Sequence, residues 1–213
     1  MHEATATQRG ISSMDATKGA GARDGKRYLE SLRDGREVWY RGKRVDDVTT
    51  YPEFAEMAKS IARIYDMQCA PETRDAMTYE QDNGLRASYS YFLPTEPEHL
   101  LLRRRNTEVW VREVFGMCGR LPDFCASMVI GYYDIRHELA KLSPDLAKNT
   151  ETYLKYARDH DLCLSHGLHD PCMDKSLRPS QDPDRCVRVV KERDDGIVVR
   201  GARFNTFGIF SNE

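Results

Sequence analysis

The stretch Pro52-Glu-Phe-Ala-Glu-Met-Ala-Lys-Ser-Ile-Ala-Arg-Ile-Tyr-Asp-Met67 decides the class of fold, because its apolar residues recur at spacings of three and four. On a helix of that period one apolar side forms, made of Phe54, Met57, Ala58, Ile61, Ala62 and Tyr65. Pro52 suits the first helical position, where a backbone N–H has no partner. The stretch therefore predicts an amphipathic helix packed on a core.

Three further helices are predicted downstream of this one. They run from the capping box Thr95-Glu-Pro-Glu98 to about Met117, from Pro122-Asp123 onward, and from a cap at Asn149 to His160. Gly119 ends the first of them. The pattern thus predicts only helices between about Pro52 and His160.

Strand signals lie on both sides of this helical region. Gly35–Val45 alternates around a Gly42 turn, and Cys186–Arg200 holds two β-branched runs around Asp194-Asp195-Gly196, so each predicts a hairpin. An isolated hairpin is marginal in water. We therefore expect the second hairpin to begin a sheet that is truncated at Glu213 or only partly paired.

The composition indicates an ordinary globular protein of one large domain, or one domain and part of another. The 213 residues are 40% hydrophobic and 31% charged, with a formal charge of -2, so there is no basic surface for nucleic acid. No apolar run approaches the roughly 20 residues of a membrane span. Without a secretory signal, the six cysteines are expected to be reduced in the cytoplasm. Residues 1–24, poor in large apolar groups, predict a disordered extension.

One cluster has side chains that zinc accepts: Cys163, His166, His169 and Cys172. Gly167 and Pro171 oppose a continuous helix that would align all four. Cysteines buried without metal, and a separate role for the histidines, are favoured, so no metal is predicted. The triplet Arg103-Arg104-Arg105 is interpreted as a solvated helix face. Arg120 either pairs with Asp123 at a helix end or points into a cleft.

Four segments in order resemble the 4-hydroxyphenylacetate 3-hydroxylase family, whose members are aromatic monooxygenases that depend on reduced flavin. They are Glu37–Thr50, Gly119-Arg-Leu-Pro-Asp-Phe124, Leu164-Ser-His-Gly-Leu-His-Asp-Pro171 and Val189–Ala202. The resemblance covers residues 25–213. Four segments in register are more specific than any one of them.

This resemblance implies an acyl-CoA-dehydrogenase-like α+β fold. It divides the chain into an extension at 1–24, a helical domain with a short hairpin at 25–165, and the start of an antiparallel β domain at 166–213. The family's C-terminal helical bundle, which completes the flavin site and the homotetramer, is expected to be missing, so the chain alone is expected to be inactive.

The resemblance also assigns site residues. Arg120, Phe124 and His166 match the family's substrate contacts, with Arg120 and His166 as the catalytic pair that favours phenolate. Phe124 stands where the family has Tyr, which leaves the identity of the phenol open.

Pro171, Cys172, Lys175 and Thr206 match the family's flavin contacts. Cys172 stands where the family has Gln, and a thiol cannot reproduce the amide's hydrogen bonds. Lys175 keeps a positive charge at its position.

The function implied is the oxygenase component of a two-component system that hydroxylates a phenol beside its hydroxyl group. It would use O2 and reduced FAD, delivered by diffusion from a separate NAD(P)H-flavin reductase, with FMN left open. One alternative is a non-catalytic helical binding or assembly module. Another is an enzyme similar to 4-hydroxybutyryl-CoA dehydratase. Its iron–sulfur ligands are Cys-x-x-x-Cys, whereas six residues separate Cys118 from Cys125 here.

Overall fold

A computed structural model describes residues 19–116, 123–171, 176–178, 180–182, 186–204 and 207–212. They form two units. The helical unit comprises 19–166 and the described residues from Phe207 onward, and the hairpin unit comprises the described residues of 167–206. The sequence assigns everything after residue 165 to the β domain. Instead the last segment returns to the helical unit, where Phe210 is buried in the core.

The helical unit contains seven α-helices among its described residues, with two short hairpins between them. The helices are α1 (Gly25–Ser31), α2 (Pro52–Met67), α3 (Arg74–Met77), α4 (Pro97–Glu113), α5 (Asp123–Asp134), α6 (Arg136–Leu142) and α7 (Pro144–Asp159). The hairpins pair β1 (Val38–Tyr40) with β2 (Lys43–Val45) and β3 (Thr78–Glu80) with β4 (Arg86–Ser88), both antiparallel. Short 3-10 turns cover Tyr89–Tyr91 and Gly208–Phe210.

Helix α2 has the predicted bounds and buries most of the predicted face, but Met57, which the sequence assigns to that face, is 36% exposed. Ala58, Ile61, Ala62 and Tyr65 join one core with Tyr28 of α1, where the rings of Tyr28 and Tyr65 stack with centroids 4.7 Å apart. Gly25 allows α1 to approach α2, since a Cβ there would lie 2.5 Å from the Ala62 carbonyl oxygen.

A second core lies between α5 and α7. It consists of Tyr91, Cys125, Ala126, Ile130, Leu154, Ala157, Leu162 and Leu164. The residues between Leu162 and Leu168 belong to no helix or strand, so this core and other tertiary contacts hold them. Those residues include His166.

Four predicted details of the helical region are wrong, one of them being the end of α4, which lies at Glu113 and not near Met117. The strands β3 and β4 interrupt the all-helical stretch. Helix α7 begins at Pro144 with Ser143 as its cap, whose hydroxyl accepts from the Asp145 N–H, so the predicted cap Asn149 lies inside the helix. Helix α4 begins at Pro97, and Glu96 precedes it without a side-chain cap.

Residues 19–24, which the sequence places in a disordered extension, are packed in the helical unit. Arg23 is 5% exposed, and the Asp24 carboxylate caps α1 by accepting from the Arg27 N–H at 2.8 Å. The guanidinium of Arg23 lies over the Tyr65 ring, 4.8 Å from its centroid, and donates to the Ser31 Oγ at 2.9 Å, so stacking and hydrogen bonds together offset the burial of its charge. Residues 1–18 of the predicted extension lie outside the described residues.

The hairpin unit pairs β5 (Arg188–Arg193) with β6 (Gly196–Arg200) around the predicted Asp194-Asp195 turn, which confirms that hairpin. The register shifts between Val189 and Lys191. Both strands are largely exposed.

None of the helices formed by the described residues is long and apolar enough to cross a membrane.

Candidate functional site

Two of the predicted substrate contacts meet in the helical unit. Phe124 stands in the first turn of α5 and His166 in the irregular segment after α7, and their ring centroids are 6.2 Å apart with the planes tilted by 37°. Phe124 is 40% exposed, so the pair is open to solvent on at least one side. The fold thus brings together two residues that are 42 positions apart in the sequence.

Arg103 holds the beginning of α5 in place. Its Nη2 donates to the Ser127 Oγ at 2.6 Å and pairs with the Asp123 Oδ1 at 3.2 Å, and its side chain is only 11% exposed. The interpretation of the arginine triplet as a solvated face is therefore wrong for Arg103, although Arg104 fits it with 73% exposure. Asp123, considered as a partner for Arg120, is paired with Arg103.

Burial raises the pKa of the Asp123 carboxyl above its ordinary value, and the nearby Arg103 only partly offsets this. The residue before Phe124 therefore binds its proton more tightly in the folded protein than in the unfolded chain. The charge next to Phe124 therefore depends on how strongly Arg103 stabilises the ionised Asp123 carboxylate.

The segment that leads into His166 is anchored at Cys163. Cys163 is fully buried, and burial raises the pKa of its thiol to about 12, so the thiol is neutral and unreactive near neutral pH. Its backbone N–H donates to the Asn212 Oδ1 at 3.0 Å, and its carbonyl accepts from the Asn212 N–H at 2.7 Å. The Ser165 and Ser211 hydroxyls are 2.7 Å apart.

A buried polar network surrounds this anchor, and sequence reasoning missed it. Arg23 donates through Nη1 to the Ser31 Oγ at 2.9 Å and through Nη2 to the Asn212 Oδ1. The Arg23 N–H donates to the Asp161 carboxylate at 3.0 Å, and the Gln68 amide donates to the same carboxylate. Burial raises the pKa of the Asp161 carboxyl, and Arg23 partly offsets the rise. Nothing in the sequence signals it, because Arg23 stands among other charged residues, Asp24, Lys26 and Arg27.

The hairpin unit holds the described part of the predicted flavin site. His169 and Phe204 form an antiparallel bridge in which the Phe204 N–H donates to the His169 carbonyl at 2.7 Å. Arg203 pairs with Asp170 at 3.2 Å, so the segment ending at Pro171 is tied to the residues just before position 205. This is the part of the chain that the resemblance assigns to flavin.

The remaining predicted site residues, Arg120, Cys172, Lys175 and Thr206, lie outside the described residues. Among those described, no group of three His, Cys, Asp or Glu side chains could hold a metal ion. The described part of the site is therefore the contact between the partly exposed Phe124 ring and the His166 imidazole.

Comparisons with known proteins identify the family of the chain. Residues 24–213 match the family model described as 4-hydroxyphenylacetate 3-hydroxylase N terminal. The oxygenase component of 4-hydroxyphenylacetate 3-monooxygenase from Thermus thermophilus is 37% identical over 185 residues, which are 85% of this chain and 37% of that protein. The oxygenase component of 4-nitrophenol 2-monooxygenase from a Rhodococcus species is 39% identical over 84% of this chain and 34% of its own length. The chain thus spans little more than a third of these curated relatives.

Solved structures give the same result for the fold. A crystal structure of a 4-hydroxyphenylacetate 3-monooxygenase oxygenase component, complexed with FAD and 4-hydroxyphenylacetate, superposes with a TM-score of 0.82 at 36% identity, over 89% of this chain and 40% of that one. An archaeal 4-hydroxybutyryl-CoA dehydratase shares the fold at 23% identity and a TM-score of 0.76. The predicted acyl-CoA-dehydrogenase-like α+β fold is therefore confirmed.

Proposed function

The chain belongs to the 4-hydroxyphenylacetate 3-hydroxylase family, and from that membership we propose that it contributes the phenol-binding part of a two-component monooxygenase. The oxygenase component of that system would use reduced FAD and O2. It would hydroxylate a phenol, such as 4-hydroxyphenylacetate, at the ring carbon next to the one that bears the phenol hydroxyl group. The observation that carries this proposal is the approach of the Phe124 and His166 rings to 6.2 Å.

Each of the proposed substrate contacts has a distinct task. The ring of Phe124 packs against the aromatic substrate, and a His166 nitrogen exchanges a hydrogen bond with the phenol oxygen. The guanidinium of Arg120 stabilises the negative charge that develops on that oxygen when its proton leaves. A phenolate is richer in electrons at the neighbouring ring carbon, which is the carbon to be hydroxylated.

The described residues suit a flavin, which is a flat and largely apolar ring system with polar edges. Phe204 of the His169–Phe204 bridge is 56% exposed, and Leu168, next to His169, is 41% exposed, so the hairpin unit offers apolar surface beside backbone polar groups. We assign the flavin contacts to Pro171, Cys172, Lys175 and Thr206. Reduced FAD, when bound, supplies the electrons and activates O2. A separate NAD(P)H-flavin reductase would supply it by diffusion, and the oxygenase would assemble as a homotetramer.

The test is product formation by the protein expressed from its complete reading frame. Reduced FAD from a flavin reductase is supplied with 4-hydroxyphenylacetate, 4-nitrophenol or 2,4,6-trichlorophenol, and the hydroxylated products are identified by mass spectrometry. We expect at least one phenol to gain an oxygen atom. A parallel series with reduced FMN decides the flavin. Consumption of reduced flavin without any hydroxylated product would contradict the proposal and favour a non-catalytic binding module.

A further inference from the structure

Asn212 closes a two-point clamp on the backbone of Cys163. The Asn212 N–H donates to the Cys163 carbonyl at 2.7 Å, and the Cys163 N–H donates to the Asn212 Oδ1 at 3.0 Å. Both polar backbone groups of Cys163 are satisfied by one residue 49 positions away. Because Cys163 is fully buried, losing either hydrogen bond would leave a polar group without water.

The side chain of Asn212 is itself held by two side-chain partners. Arg23 donates to its Oδ1, and its Nδ2 donates to the Ser31 Oγ at 2.8 Å. The guanidinium of Arg23 is 5.5 Å from the Tyr28 ring centroid and 4.8 Å from that of Tyr65. The amide therefore has one orientation, set by a charge-assisted hydrogen bond.

A second link joins the same two segments one step closer to His166. The Ser165 and Ser211 hydroxyls are 2.7 Å apart, and the Ser211 Oγ donates to the Gly208 carbonyl at 3.0 Å. Either hydroxyl can donate in the Ser165–Ser211 hydrogen bond. Residues 163 and 165 are thus both held by residues 211 and 212.

We propose that Asn212 is a positioning residue for His166, acting through the clamp on Cys163 and the adjoining Ser165–Ser211 link to set the imidazole against the Phe124 ring. The inference rests on the proposed function only for its effect on phenol binding. The segment between Leu162 and Leu168 has no helix or strand of its own, so these tertiary hydrogen bonds, together with the packing of Leu162 and Leu164 in the second core, hold the residues that lead to His166.

The first readout is the ring contact itself, measured by NMR on protein with labelled His and Phe, with His166→Ala assigning the signals. In Asn212→Ala the cross-relaxation between the His166 and Phe124 rings should fall at least severalfold. Asn212→Asp keeps an oxygen for the Cys163 N–H and for Arg23, and should retain it. Tyr28→Phe is the matched control, because it removes a 2.7 Å hydrogen bond to the Phe210 carbonyl in the same segment without touching the clamp.

The second readout is the affinity for 4-hydroxyphenylacetate, measured by calorimetry on the protein from its complete reading frame. Asn212→Ala should weaken binding about tenfold, and it should add almost nothing in a His166→Ala background, because residues that act through one another are not additive. Asn212→Asp should restore most of the affinity.

The two readouts separate the two ideas. An unchanged ring contact in Asn212→Ala, or an equal loss in Tyr28→Phe, overturns the positioning role. Fully additive affinity losses overturn it as well. If His166→Ala binds the phenol as tightly as the parent protein, the proposed substrate role of His166 fails, whereas the ring contact still decides whether Asn212 positions it.

Discussion

The Arg103 guanidinium and the Asp123 carboxylate meet at 3.2 Å, and this ion pair joins α4 to the first residue of α5. The side chains are 11% and 25% exposed, so the pair is shielded from solvent far more than a surface ion pair. Phe124 is the next residue and contacts His166. The ion pair with Arg103 therefore fixes the helix end that carries Phe124.

Replacing Arg103 by Ala should destabilise the protein by about 1–3 kcal/mol, because a half-buried carboxylate loses its partner. Chemical unfolding at neutral pH measures the change. Arg104→Ala is the matched control. It breaks an exposed pair with Glu108 and should cost less than about 0.5 kcal/mol. Equal losses in the two variants would contradict the role of Arg103.

The pH dependence of stability should differ in sign between Asp123 and Asp34. Burial raises the pKa of Asp123 in the folded protein. The stability of the parent protein relative to Asp123→Asn is therefore greatest below the unfolded-state pKa and is lost as the pH rises through the folded-state pKa. Unfolding free energies of both proteins between about pH 3 and pH 7 measure this.

Asp34 provides the opposite case. Burial raises its pKa, but hydrogen bonds from Arg36 outweigh that effect and lower it below the ordinary value. Relative to Asp34→Asn, the parent protein should gain its stability above the unfolded-state pKa and lose it as the pH falls through the folded-state pKa. Parallel slopes for the two aspartates would show that their environments are not as described.

Arg120→Ala should abolish phenol hydroxylation while hydrogen peroxide release from reduced flavin and O2 continues. The guanidinium is assigned to the phenol and not to the flavin, so only the coupled reaction depends on it. Product and peroxide are measured in the same assay. Loss of both together would instead indicate a structural role for Arg120.

Phe124→Tyr should tighten binding of 4-hydroxyphenylacetate by roughly fivefold, the effect of about one neutral hydrogen bond. Since Phe124 is 40% exposed, the added hydroxyl needs no new cavity and should leave the unfolding free energy nearly unchanged. Calorimetric titration gives the affinity. No change across several phenols would place position 124 away from the phenol oxygen.

Alkylation of the native protein should distinguish its cysteines. Exposed Cys69 and half-buried Cys186 should react with iodoacetamide, whereas Cys125 and Cys163 should not, because both are buried and the pKa of Cys163 is raised to about 12. Peptide mass spectrometry reads the pattern. Rapid labelling of Cys163 without unfolding would refute the buried anchor next to Asn212.

The sequence predicts those elements whose signals are local. The bounds of helix α2 are predicted correctly because Pro52 marks its first position and six apolar residues follow at helical spacing. The turn at Asp194-Asp195 is recovered because two β-branched runs flank it. Strands β3 and β4 are as short as the predicted β1 and β2, and they are missed although Asn83-Gly84 between them is a typical hairpin turn.

The site is predicted only where a motif carries it. The family resemblance predicts Phe124 and His166 as site residues, but it does not predict the contacts that hold them in place. The burial of Arg103 depends on Asp123 twenty residues away, and the link between Arg23 and Asn212 spans 189 positions. Neither pairing leaves a periodic signal, because each is determined by packing between distant segments.

The link between Arg23 and Asn212 has a consequence for biosynthesis. The helical unit receives its closing segment only after all of the hairpin unit has been translated, since residues 167–206 lie between them in the chain. On the ribosome the partners of Arg23, Tyr28 and Cys163 at Phe210 and Asn212 emerge last. Completion of this core must therefore wait for the nascent chain to pass residue 212, and until then the buried arginine lacks its distal acceptor.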